Sequence, residues 1–194
     1  RSFVEDLDAD TVSLNTRIAY CELTTRRADS AISVFNDSEL NRKAAEIYYF
    51  LRWMHRSDVF SVNDRTIVQL RNAGGMRLVS NKNVSDSIID YYKEVGSIQF
   101  LYEEQVVWRR TLRPYFPEIL DGNDWGRAVD DRNQVIRPTG PVKLRSSDAK
   151  VINALILTLN NIKGINVGLK GEMENLKTRA KGIRAVIIKE YNLE

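Results

Sequence analysis

Val4-Glu-Asp-Leu-Asp-Ala-Asp-Thr-Val-Ser-Leu-Asn-Thr-Arg-Ile-Ala-Tyr-Cys21 opens a run in which Val4, Leu7, Thr11, Leu14, Ile18, Cys21, Thr25, Ala28, Ile32 and Phe35 follow alternating spacings of three and four. A repeat of 3.5 residues draws one narrow seam along a helix. Residues 2–36 are therefore predicted as a single helix about 50 Å long at 1.5 Å per residue, packed against a partner helix. The same alternation returns in Ile152, Leu155, Leu159, Ile162, Asn166, Leu169, Met173, Leu176, Ala180, Ile183 and Ile187, behind a Ser146-Ser-Asp148 cap. Two heptad helices of comparable length seek each other. The fold class predicted is all-α, an elongated antiparallel bundle of about five helices forming one domain over 1–194.

Between the two ends, Leu40, Ala44, Ile47, Leu51 and Met54 mark a helix from about Glu39 to Ser57, widened by Tyr48, Tyr49, Phe50 and Trp53. Ser61-Val-Asn-Asp64 has capping-box spacing and opens a short helix predicted over Val62 to Ala73. Gly74-Gly75 then supplies a tight corner, and Ser80 or Asn81 a cap for the next helix, predicted from about Lys82 to Leu112. Arg113-Pro114 and Pro117 end it, because proline removes a backbone donor and restricts the residue before it. All four prolines and three glycines fall in 114–145, an irregular connection with short extended pieces at Gln134–Arg137 and Val142–Leu144. Gly164, Gly168, Gly171 and Gly182 each cost roughly 1 kcal/mol in a helix interior, which predicts close approach of another helix there.

A hydrophobic content of 43% with 28% charged residues describes a folded, soluble chain. The net charge of +3 is dispersed, with no polybasic block, which argues against nucleic acid as a partner. One cysteine, Cys21, and one histidine, His55, leave too little material for a disulfide framework, a thiolate cluster or a Ser-His-Asp triad, so neither cofactor nor metal is predicted. His55 at a helix end suits a cation or donor to the last carbonyls. Glu5, Asp6, Asp8 and Asp10 are read as solvent-facing carboxylates that favour the helix dipole. Asp121-Gly-Asn-Asp-Trp-Gly126 opens like a calcium loop, but Trp125 and Arg132 stand where oxygen ligands are required, so it reads as a turn.

No nucleophile, base and oxyanion donor can be grouped from this sequence, so no enzyme is predicted. Trp108, Arg109, Arg110, Arg113 and Tyr115, joined by Trp125, Arg127 and Arg137, form the candidate interaction surface, since arginine and aromatics dominate binding hot spots. That points to a noncatalytic module that engages an unidentified protein partner, self-associates, or transmits a conformational signal along its first helix. The alternative is a small-molecule sensor, with ligand between helices or beneath the 114–145 connection.

Ile67-Val-Gln-Leu-Arg-Asn-Ala-Gly-Gly-Met-Arg-Leu-Val-Ser-Asn81, Val84-Ser-Asp-Ser-Ile-Ile-Asp-Tyr-Tyr92 and the terminal Ile187-Ile-Lys-Glu-Tyr-Asn-Leu-Glu194 resemble a bacterial family of uncharacterised membrane-anchored proteins. Members look like a short basic N-terminus, one transmembrane helix and then a helical domain of about this size. The resemblance implies an absent transmembrane helix running into residues 1–36, with the domain on the periplasmic side of the inner membrane by the positive-inside rule. It supplies no catalytic residues. The helical register already present at Arg1 carries the same expectation of an upstream continuation.

Overall fold

The computed structural model describes residues 2–56, 61–72, 79 and 81–193. It is an all-α helical bundle. The elements are α1 (Ser2–Phe35), α2 (Ala44–His55), α3 (Arg65–Asn72), α4 (Lys82–Arg110), the single turns α5 (Phe116–Ile119) and α6 (Gly122–Trp125), and α7 (Ala149–Glu190). No strand occurs among the described residues. Two isolated antiparallel bridges, Leu120 to Leu144 and Val129 to Val135, tie down the extended pieces of the 114–145 connection.

The chain forms two compact units. The first comprises Arg1–Cys21, Val59–Tyr102 and Gly168–Glu194, and the second Glu22–Asp58 and Glu103–Val167. In the first, Leu7, Leu14, Ile67, Val84, Ile88, Tyr91, Ile98, Met173 and Leu176 are buried. In the second, Phe35, Ile47, Tyr48, Leu51, Met54, Leu112, Ile119, Leu155, Leu159 and Ile162 form the core. Each excludes water from aliphatic and aromatic surface at about 25 cal/mol per Å², the main favourable term in its stability.

α7 packs along its heptad stripe: every position from Leu155 to Ile187 in the stripe is buried, and Ile152 is half-buried. Asp148 caps it, its Oδ1 accepting from Lys150 N at 2.8 Å and Val151 N at 3.1 Å. Asn81 caps α4 in the same way, accepting from Asn83 N at 2.9 Å and Val84 N at 3.3 Å. Gly74 and Gly75, the predicted corner, lie outside the described residues.

Several expectations are corrected. The seam of α1 shares Leu7, Leu14, Ile18, Cys21, Ala28 and Phe35 with the predicted one, but its other edge runs through Phe3, Asp10, Thr24 and Ala31, while Val4, Thr11, Thr25 and Ile32 are only half-buried. Asp6 and Asp10, read as solvent-facing, are 1% and 2% exposed. The reason is α3. Asp6 Oδ2 accepts from Thr66 N at 3.1 Å and Asp10 Oδ1 from Asn63 N at 2.8 Å, so carboxylates from α1 satisfy N–H groups at and before the start of that helix. α3 accordingly begins at Arg65 rather than at Val62, and α2 is preceded by a 3-10 turn, Leu40–Lys43. A methyl group placed on Gly96, Gly164, Gly168, Gly171 or Gly182 meets nothing within 4 Å, so these glycines do not mark close helix contacts.

Candidate functional site

The second unit carries the richest side-chain chemistry, at the end of α2. Tyr49, Arg52, Trp53 and Arg56 follow helical spacing and share a half-buried face, while Leu51 and Met54 on the other side enter the core. Around that face, guanidinium groups lie over rings. Arg52 Cζ sits 4.3 Å from the Trp125 ring centre, Arg137 Cζ 4.3 Å from that of Tyr49, and Arg27 Cζ 3.4 Å from that of Trp53. Phe116 bridges the arrangement, 5.0 Å from Trp125 and 5.8 Å, edge to face, from His55. Cation–π contacts of this kind contribute about 0.5–2 kcal/mol each, more where the ring is shielded from water.

Short elements hold these rings in place. Asp121 caps α6 through Asn123 N at 2.8 Å, the turn chemistry rather than an ion loop. Tyr48 is buried beneath, donating from its hydroxyl to Lys143 O at 3.0 Å and accepting from Asp121 N at 2.6 Å. Desolvation pushes that phenol above its ordinary range, so it stays a neutral donor. Ile119, Leu120 and Ala128 fill the underside of the connection beside Tyr48. Arg56 Nη2 clasps Asn133 through its Oδ1 at 2.9 Å and its carbonyl at 2.5 Å, and Asn133 takes the positive φ of 58° that closes its turn.

The candidate surface residues separate into different roles. Arg113 is exposed, and Trp108, Tyr115 and Trp125 are partly buried against the core of the second unit. Arg127 is exposed but already engaged within the connection, donating to Asp124 Oδ1 at 2.8 Å, to Pro141 O at 2.9 Å and to the Thr139 carbonyl. Arg109 is 2% exposed and is no part of a surface. Its Nη1 donates to Met54 O at 2.8 Å and to the Arg56 carbonyl, which places a fixed cation on the last carbonyls of α2. Its Nε donates to Gln105 Oε1 at 3.3 Å, Gln105 Nε2 to Asn166 Oδ1 at 3.0 Å, and Asn166 Nδ2 to Ile162 O at 2.7 Å. A connected polar chain of this kind is tolerated in a core because its members satisfy one another.

Arg109 therefore performs the capping that the sequence suggested for His55. His55 is left as a neutral ring against Phe116: burial, and then the charges of Arg113, Arg52, Arg109 and Arg56, hold its imidazole below the ordinary value. Burial and the neighbouring Arg56 act on Arg52 in the same direction. The sequence reading missed Arg27, Arg52 and Tyr49 as members of this face. The available signal was the spacing 49, 52, 53, 56 on one side of a helix.

Among the described residues, no group of three or more His, Cys, Asp or Glu is placed to hold a metal ion. Nor is any helix among them long and apolar enough to cross a membrane. The chain matches no family model, no curated protein and no solved structure.

Proposed function

We propose that this chain is a noncatalytic helical module that engages a protein partner through the arginine and aromatic face at the end of α2. The observation carrying this reading is the stacking of Arg52 on Trp125 and of Arg137 on Tyr49, with exposed Arg113 acting on His55 alongside them. Aromatic side chains bury large areas at low entropic cost, and together with arginine they dominate binding energies. Tethering to the inner membrane, with the module on the periplasmic side, is the companion proposal and rests on the family resemblance alone.

A photo-crosslinking amino acid installed at position 113 in the full-length protein in its own cells tests the interaction. A discrete crosslinked protein, reduced when Arg52 and Arg137 are changed to glutamine, supports the reading. Crosslinking no greater than from position 181 on α7 contradicts it. Fractionation of the same cells tests the tether, which predicts recovery with the inner membrane.

A further inference from the structure

We infer that Arg52, Arg113 and Arg137 dock a carboxylate-rich segment of the protein partner. This rests on the interaction reading above and names the partner's chemistry.

A guanidinium lying over a ring keeps its in-plane N–H donors at its edge, where they form paired hydrogen bonds with a planar oxyanion. Arg52 over Trp125 and Arg137 over Tyr49 have that disposition, and Arg113 is exposed at the adjoining turn. Three of the five carboxylates of the neighbouring connection are already engaged, while Glu118 and Asp131 are exposed to solvent. Asp124 accepts from Arg127 and from Lys143 N, Asp121 from Asn123 N, and Asp130 from the N–H groups of Arg132 and Gln134. Four arginines acting together on His55 describe a local excess of positive charge within a chain whose net charge is only +3. The missing complement is anionic.

The rings decide which anion. Single-stranded nucleic acid needs open aromatic platforms for its bases. Here Trp125 already meets Arg52, Phe116 and Tyr48, Tyr49 meets Arg137 and Phe50, and Trp53 meets Arg27. With Arg113 and Arg137 exposed and Arg52 half-buried, guanidinium edges rather than ring faces remain for a partner. Those edges come from α2, the turn after α4 and the loop at 137, a spread that suits an extended acidic peptide over one small anion.

Fluorescence anisotropy with a dye-labelled dodecaglutamate peptide tests this on the whole chain, with a dodecathymidylate of equal label and inorganic phosphate as parallel probes. The expected result is dodecaglutamate binding that weakens with salt, falls at least about tenfold in the Arg52→Gln/Arg113→Gln double variant, and persists in Lys181→Gln. Arg137→Gln, in an exposed loop, provides a second test should the double variant fail to fold, and is also expected to weaken binding. Absence of peptide binding, binding indifferent to these arginines, or tighter binding of dodecathymidylate or phosphate overturns the inference. Crosslinking from position 113 that survives while dodecaglutamate neither binds nor competes removes the acidic partner but leaves the interaction reading standing. Loss of both removes both.

Discussion

Asp10 shows what single residues contribute. Its carboxyl is raised above the ordinary 3.8 chiefly by burial, against the opposing hydrogen bonds from Asn63 N and Tyr91 Oη, with Asp6 and Asp64 adding repulsion. A raised carboxyl binds its proton more tightly in the folded chain, so its contribution is complete below about pH 4 and is lost as pH rises through the raised value. Asp10→Asn keeps an acceptor for Asn63 and a polar contact for Tyr91 while removing the charge. It is expected to lie within about 1 kcal/mol of the parent at pH 7 and to flatten the fall in stability above pH 4, whereas Asp10→Ala loses about 1–3 kcal/mol in urea unfolding. His55 has the opposite sign. With its imidazole held below 6.5, its contribution is complete above that pH and is lost as pH falls through the lowered value, so the ring's proton resonances should titrate with a midpoint under 6.5. Arg109→Met strands the last carbonyls of α2 and should cost about 2–4 kcal/mol. The roles of Asp10 and Arg109 were not legible in the sequence, because Asn63, Tyr91 and the Met54 carbonyl each lie more than fifty residues from the group they pair with.

At the scale of elements, α7 was legible nearly residue by residue, since an uninterrupted heptad stripe leaves one face to bury and Asp148 marks where the helix starts. α1 was legible as a helix but not in its rotation. Its stripe contains polar threonines at two positions, and Asp6 and Asp10 turn inward once α3 offers N–H groups to accept. The glycines of α7 were misread because composition records a backbone cost without recording which side of the helix it falls on. With nothing within 4 Å of an added methyl, Gly164→Ala and Gly182→Ala should each raise stability by roughly 0.5–1 kcal/mol in denaturant titrations, additively. A loss at either would mean that this face of α7 is covered. Tyr48→Phe removes the hydroxyl shared by Lys143 and Asp121. It should cost about 1–2 kcal/mol and speed amide exchange at Asp121 and its neighbours while leaving the helical circular dichroism unchanged.

For the molecule as a whole, patterning fixed an all-helical body and pointed to the region around the prolines, yet its candidate surface mixed outward residues with inward ones. Trp125 and Arg113 belong to the face at the end of α2, whereas Arg109 is buried and caps that helix, and Arg127, though exposed, is occupied by Asp124 and the carbonyls of its own connection. Such sorting depends on which carbonyls need donors, a property of the folded backbone. The central claim is that this face receives an acidic partner segment. Its most direct test is the heteronuclear NMR spectrum of the chain titrated with dodecaglutamate. The account predicts saturable shifts of the Trp125 indole and of amides around Arg52, His55 and Arg113, with the His55 titration midpoint moving upward, while Tyr91 and its neighbours in the first unit stay still. Shifts confined to α7 or to the first unit, or none at saturating peptide, would contradict it.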